Sequence, residues 1–299
     1  MTGVGGGFGL PCSLCLVLVS LSVSSPKSLA QLTATPKKKS CVRLNAGADW
    51  AELNSDKIYR LTAGMCNRFR EMLALKQVFP KGVSCYWEEN SNLTGHFLEY
   101  FEPINGITFV KQKNRENTLV ENGTYKNIVE KHGLAYDKNI EAENYKLIKP
   151  QEYLLKKIEE VNANLTLSDK CGLHIRRVVA RCGEGYANYF LTTEDDFERF
   201  AGDDNVFLAT DSLELQRRWT KKPNVYCYAR LIEVPEKDRC GSRFSSIEDA
   251  IIDLFCLSKC KRFLGTHWSS YSSAAVVLAN PDPKLTFGFD DKFHGRGWY

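Results

Sequence analysis

The chain has no second long apolar run beyond its first thirty residues, no glycine-rich phosphate loop of the GxGxxG or P-loop kind, and no hydrolase signature. GxSxG, HExxH and a catalytic-cysteine motif are all absent, so nucleophile-elbow and zincin chemistry have no sequence support. Charge of one sign is scarce as well. The formal net charge is +4 over 299 residues, too small to call for nucleic acid as a partner. Lys37-Lys38-Lys39 is the one basic block and reads as a solvated linker. There is no internal repeat and no long low-complexity segment. With 43% hydrophobic and 25% charged residues, the chain is neither disordered nor collagen-like and is long enough to bury a large core.

The N-terminus speaks for a compartment. Leu10 to Val23 are apolar or small, and Ser28-Leu29-Ala30 supplies small residues for a cleavage site. This is the pattern of a signal peptide over residues 1–30, although no Lys or Arg precedes the apolar run. The run is short for a bilayer span, so a membrane is a partner only if the segment stays uncleaved as an anchor. Residues 31–40 read as a polar stem. Three N-glycosylation sequons begin at Asn92, Asn122 and Asn164 and fit the secretory-pathway lumen, ER or Golgi, or secretion. Eleven cysteines include Cys12 and Cys15 in the signal segment, leaving an odd nine, so at least one thiol lacks a partner within the chain. Cys171 and Cys182 flank one segment and are candidates for a bridge. A zinc site from Cys240, Cys256, Cys260 and His267 is a weak alternative, since no CxxC pair occurs among them.

Two halves follow, 41–167 and 168–299. In the first, Lys57 to Leu61 reads as a strand, Met65 to Val78 as a helix with apolar residues at helical spacing, and Val83 to Trp87 as a strand. Glu88 to Ala142 is polar and aromatic and is expected to be irregular or acceptor-facing. Glu152 to Ala163 reads as an amphipathic helix. In the second half strands are expected at Cys171–Val179, Asn205–Ala209, Asn224–Ala229 and Arg262–Gly265. Helices at Asp196–Ala201, Leu213–Trp219, Ile247–Leu257 and Ser270–Leu278 alternate with them. That rhythm predicts an α/β fold with a parallel sheet, whose ligands bind beyond the carboxyl ends of the strands.

Candidate residues fall at those ends. His174 and Arg176 share a strand face, and the pair Arg176-Arg177 suits a diphosphate or a salt-bridged surface. Thr210-Asp211 follows a strand, where the acid serves a ligand hydroxyl or caps the next helix. Asp253, inside an apolar helix, faces either solvent or a site. Gly265 to Ser273, with Thr266, Ser269 and Ser270, ends a strand and opens a helix, making an anion site or a serine-rich cap. Gly64-Met65-Cys66-Asn67-Arg68 joins strand to helix in the first half. There Gly64 allows a tight turn, and Asn67 and Arg68 are candidates to reach a ligand. Glu194-Asp195-Asp196 reads as a helix cap and Asp290-Asp291 as a solvated turn.

Taken in order, these motifs resemble the GT-B fucosyltransferases with an HxRRxD strand, closest in pattern to the α1,6-fucosyltransferases and their rhizobial relatives, and more distantly the α1,2- and protein-O-fucosyltransferases. His174-Ile175-Arg176-Arg177 resembles the hallmark, Val206 to Asp211 the "ATD" strand, Ile252 to Ser258 the "LDIHFLS" helix, and Phe263 to Ser270 the serine-bearing phosphate loop. About 105 residues, Cys171 to Leu278, carry the likeness. It implies two Rossmann-like halves and inverting, metal-independent transfer from a GDP-sugar, GDP-fucose, to a glycan or protein hydroxyl. It further implies Glu184 as general base and Arg176 as stabiliser of the leaving group, with Arg177 in support. His174, Asp211 and Asp253 would position the nucleotide. Glu184 lies in Gly183-Glu184-Gly185, where an acid is otherwise merely solvated. Two positions depart from the pattern: Val179 replaces the acid of HxRRxD, and Ser212 replaces a second aspartate after "ATD". An acid beside the arginine would hold and orient the guanidinium. A non-catalytic nucleotide-sugar- or glycan-binding protein on the same fold is the rival reading, and Val179 is the feature that favours it.

Overall fold

The computed structural model describes residues 58–89, 93–110, 118–121, 123–177, 192–229, 231 and 245–279. The signal segment, the stem, Asn92, Asn122, Val179, Cys182, Glu184, Cys240 and Asp290-Asp291 lie outside them.

Two four-stranded sheets form, each wholly parallel. The first is built from β1 (Ile58–Leu61), β2 (Val83–Trp87), β3 (Ile107–Phe109) and β4 (Thr118–Leu119), in the order β3-β2-β1-β4. The second is built from β5 (Cys171–Ile175), β6 (Val206–Thr210), β7 (Val225–Tyr226) and β8 (Arg262–Gly265), in the order β7-β6-β5-β8. Counted within its own sheet each order is 3-2-1-4, the half-unit of a Rossmann-like fold. The order reverses between β1 and β4, and again between β5 and β8, the kind of point beside which open α/β sheets bind ligands.

The first sheet corrects the expectation for Glu88 to Ala142. That stretch contains α2 (Phe97–Tyr100), β3, β4, α3 (Tyr125–Lys131) and the start of α4 (Lys138–Tyr145). Strands of three and two residues are too short to show alternation, and α3 and α4 are mostly polar. Burial comes instead from Phe97, Phe101 and Phe109, which pack as a ring cluster with Phe69 and Trp87. The central helix is α1 (Met65–Val78), which packs against α3 and α4.

In the second sheet β5 and β6 are buried along their whole length, as parallel strands covered on both faces must be. The covering helices are α6 (Glu194–Ala201), α7 (Leu213–Trp219), α8 (Ile247–Leu257) and α9 (Ser270–Leu278). Glu194-Asp195-Asp196 forms the first turn of α6, where Thr193 and Asp196 make a capping box. The same device starts α8 through Ser246 and Asp249. Gly172 and Gly265 are small for a reason. A Cβ on Gly172 would stand 3.0 Å from Cys260 Cβ, and one on Gly265 would stand 2.5 Å from Ser272 Cβ. The strands thus approach α8 and α9 closely.

Helix α5 (Glu152–Leu165) runs on from the first half and packs on α8, and Lys157 pairs with Glu248 at 3.2 Å. Helices α1 and α4 pack on α9. Among the described residues, no helix is long and apolar enough to cross a membrane. Among the described residues Cys85, Cys171, Cys256 and Cys260 carry free thiols, and Cys182, the candidate partner of Cys171, lies outside them. Burial pushes Cys85 and Cys171 up to about 12, which keeps both thiols protonated and unreactive.

Candidate functional site

The site forms where β5 and β8 end side by side. The His174 carbonyl at the end of β5 accepts the Thr266 N–H at 2.9 Å and the Thr266 hydroxyl at 2.9 Å. The Thr266 oxygen in turn accepts the Arg176 N–H at 2.8 Å. Thr210, at the end of β6, donates its hydroxyl to the Ile175 carbonyl at 2.6 Å and accepts the Ser212 N–H at 3.2 Å. Two threonines therefore stitch three strand ends together, one on each side of β5.

The arginines that follow diverge. Arg177 donates its N–H to Asp211 Oδ1 at 2.8 Å, and its guanidinium turns back onto the carbonyls of Thr192 (2.6 Å) and Arg176 (3.0 Å), above the Phe197 ring. Burial lowers its pKa, opposed by Glu194 and Asp211. Arg177 thus braces the loop through its own guanidinium. The Arg176 side chain stays 31% exposed, with Nε 3.8 Å from Asp211 Oδ2.

Of the two readings of Asp211, the helix cap is not realised. Ser212, not Asp211, caps α7, taking the Leu215 N–H at 3.3 Å. Asp211 binds the arginine loop with one oxygen and faces the Arg176 guanidinium with the other. The acid beside the arginine, which Val179 does not supply, comes from the neighbouring strand.

Beyond β8, Thr266, His267 and Ser269 are buried while Trp268 is not. Ser269 caps α9, its hydroxyl accepting the Ser272 N–H at 3.5 Å. Ser269 thus realises the serine-rich cap, one of the two readings of this segment, and both Thr266 and Ser269 are fully buried and bonded within the protein. Half-buried Ser270, in the first turn of α9, is the serine left at the surface. His174 is 7% exposed, its Nδ1 lies 2.7 Å from Ser272 Oγ, and its ring packs 4.5 Å from that of Tyr271.

Asp253 points inward from α8 and is 6% exposed. One side takes the Ala229 N–H, and Oδ1 is buried without a hydrogen-bond partner. Burial holds its carboxyl well above the usual carboxylate range, and the nearby Asp249 adds to this. An orphaned acceptor of this kind is costly unless a donor arrives.

In the first half, Arg68 is fully buried over the Trp87 ring, and its Nε donates to the Ala63 carbonyl at 2.5 Å. It fastens the turn after β1. Gly64 has φ −64° and ψ 158°, backbone that any residue adopts, so no tight turn depends on it. Asn67 is half-buried, with Oδ1 lacking a partner. No three His, Cys, Asp or Glu side chains gather as a metal-ligand set among the described residues.

Sequence comparison finds no matching family model and no matching curated protein. Comparison with solved structures does find likenesses. The fucosyltransferase NodZ from Bradyrhizobium aligns with a TM-score of 0.51 at 15% identity, over 74% of this chain and 92% of that one. The fold is that of a GT-B fucosyltransferase. NodZ α-1,6-fucosyltransferase soaked with GDP-fucose aligns at 0.49 and 14% identity, over 74% and 91% of the two chains. POFUT1 in complex with GDP aligns at 0.44 and 9%, over 74% and 93%.

On the fucosyltransferase fold, several supporting residues escaped the sequence reading. Gln216 donates to the Ala229 carbonyl at 2.7 Å and accepts the Leu231 N–H at 2.9 Å, fixing the segment that meets Asp253. Tyr271 holds the Ala250 carbonyl at 2.6 Å. Thr192 takes both the Arg177 guanidinium and the His267 N–H. Each acts on a partner at least a dozen residues away, so no local pattern marks it.

Proposed function

We propose that this chain is a glycosyltransferase using a GDP-sugar donor, GDP-fucose, and transferring the sugar with inversion to an acceptor hydroxyl. The observation that carries the reading is the Arg176 loop at the reversal point of the second sheet, the crevice where α/β folds bind ligands. Thr266 and Asp211 lock its backbone, so the guanidinium is presented with little left to reorganise. A diphosphate there would meet Arg176 and the first turn of α9. Guanine offers N–H donors, and Asp253 Oδ1 is the buried acceptor suited to them, with His174 alongside.

In the reaction, the acceptor oxygen bonds to the anomeric carbon as that carbon's bond to the GDP oxygen breaks. The hydroxyl proton passes to a general base, which the motif resemblance assigns to Glu184. GDP departs with the electron pair, and Arg176 stabilises its developing charge. In this reading no metal is needed, because Arg176 and the helix-end donors of α9 would neutralise the phosphates. The signal-like segment and sequons extend the proposal to the secretory lumen, where Asn164, exposed in the last turn of α5, is open to glycosylation.

The test is GDP release by the purified protein given GDP-fucose, GDP-mannose and UDP-sugars with a mixed glycan acceptor, for wild type, Arg176→Ala and Glu184→Gln. Turnover of GDP-fucose alone, reduced by about a hundredfold or more in both variants, is expected. GDP binding without turnover in any variant would replace the enzyme by the binding protein. No GDP binding by wild type would end the donor assignment.

A further inference from the structure

Trp268 lies inside the candidate site, where its ring stands 6.3 Å from that of His267 and makes none of the hydrogen bonds that join the strand ends. Its side chain is 64% exposed, the most exposed of the large apolar residues described. Its neighbours Thr266, His267 and Ser269 are 0%, 3% and 0% exposed. The loop therefore buries every residue around it and displays this one.

The backbone is unusual at the same point. Trp268 has φ +62°, and among the described residues only one other non-glycine, Thr166, has positive φ. A bulky L-residue is strained in that region, and such strain persists only where the surroundings impose it. Here they do. The His267 N–H is held by Thr192 Oγ1 at 3.0 Å, the Ser269 N–H by the Thr266 carbonyl at 3.3 Å, and the Ser273 N–H by the Ser269 carbonyl at 3.0 Å. Both flanks of Trp268 are thus pinned. The fold thus bears a strained backbone and a largely exposed aromatic ring at the same residue.

We propose that Trp268 is a stacking platform for a pyranose ring of the acceptor saccharide. One face of a pyranose presents several C–H groups in a flat apolar patch, which complements the electron-rich face of an indole. The sugar hydroxyls stay at the rim in water, as an exposed ring allows. A nucleobase is the poorer occupant, because its polar edge needs partners. The buried acceptor, Asp253, stands on α8, and His174 is covered by Tyr271. A saccharide arriving from solvent meets the displayed ring. Calling that saccharide the acceptor rests on the transferase reading; the platform itself is a binding claim.

The test uses the full chain as wild type, Trp268→Phe and Trp268→Gly. Glycine adopts positive φ without strain, so Trp268→Gly should melt at or above the wild-type temperature. Saturation-transfer NMR with cellotetraose and with the β1,4-linked tetrasaccharide of N-acetylglucosamine, in the presence of GDP, should show ring C–H contacts in wild type and in Trp268→Phe. Trp268→Gly should lose them by about tenfold, while GDP affinity stays equal in all three. Four results overturn the proposal: undiminished contacts in the glycine variant, no contacts in wild type, a lower melting temperature for Trp268→Gly, or GDP affinity lost with the indole, which would make it a base-stacking residue. Saccharide contacts that follow Trp268 in a wild type unable to bind GDP would uphold the platform and sink the donor reading alone.

Discussion

At the scale of single residues, the site is built from acids and arginines whose surroundings assign them different tasks. Arg176 and Arg177 are adjacent and identical in chemistry, yet one guanidinium is folded onto the Thr192 and Arg176 carbonyls while the other stays partly exposed beside Asp211. Asp253 is set apart by burial, which favours its protonated form. If it receives the N–H donors of a guanine base, only the carboxylate can accept them all. GDP affinity should therefore rise with pH as the free protein gives up that proton. In Asp253→Asn the slope should flatten and binding should weaken by about tenfold or more at the high-pH end. Isothermal titration from about pH 5.5 to about 8.5 reads both effects. An identical pH slope in the two proteins would show that Asp253 does not meet the base.

At the scale of elements, the geometry depends on how closely α9 approaches β8. Gly265 lacks a Cβ where Ser272 stands 2.5 Å from the place one would take, and Ser272 also meets the His174 ring. Gly265→Ala should push α9 away from the sheet, costing about 1–3 kcal/mol of stability. GDP binding should weaken with it, because His174 and the first turn of α9 move together. For comparison, Ser246→Ala removes the cap of α8 and leaves the Gly265–Ser272 contact itself untouched. It should cost about 1 kcal/mol and leave GDP binding unchanged. Denaturant midpoints and GDP titrations on the two variants separate these effects. Equal loss of GDP binding in both would mean that general destabilisation, not the α9 approach, governs the site.

At the scale of the whole molecule, the first half carries a buried acid that the proposed chemistry does not use. Glu71 on α1 is 2% exposed, and burial raises its pKa from 4.5 to about 8, against the pull of Arg70 and Arg68 and with a push from Glu121. The folded chain thus holds this proton more tightly than the unfolded chain. Its contribution is fully present below about pH 4.5 and is lost as pH rises towards about 8, a span worth up to about 5 kcal/mol. Glu71→Gln should remove that slope and make the protein more stable than wild type near pH 8, as urea midpoints across pH would show. Parallel wild-type and variant curves would refute the assignment. The salt bridge between Lys157 and Glu248, by contrast, is solvated at both ends and should matter little to stability.

Much of the second sheet was legible in the chain, because buried parallel strands such as Val206 to Thr210 are continuous apolar runs and their helices begin with Ser or Thr caps. Strand ends were therefore readable to within a few residues, and with them the positions of His174, Arg176, Asp211 and Thr266. The first sheet was not, since β3 and β4 are too short to carry a period and are held by a ring cluster drawn from distant segments. Residue types and their order along the chain determined which groups arrive at the crevice. Only the tertiary structure decided which of two arginines faces outward, that Asp211 takes the place of the missing acid, that Thr266 and Ser269 are consumed as internal bonds, and that Trp268 is displayed. Those outcomes depend on hydrogen bonds and close contacts between strands whose neighbours in space are dozens of residues apart in sequence, and such pairings leave no local mark.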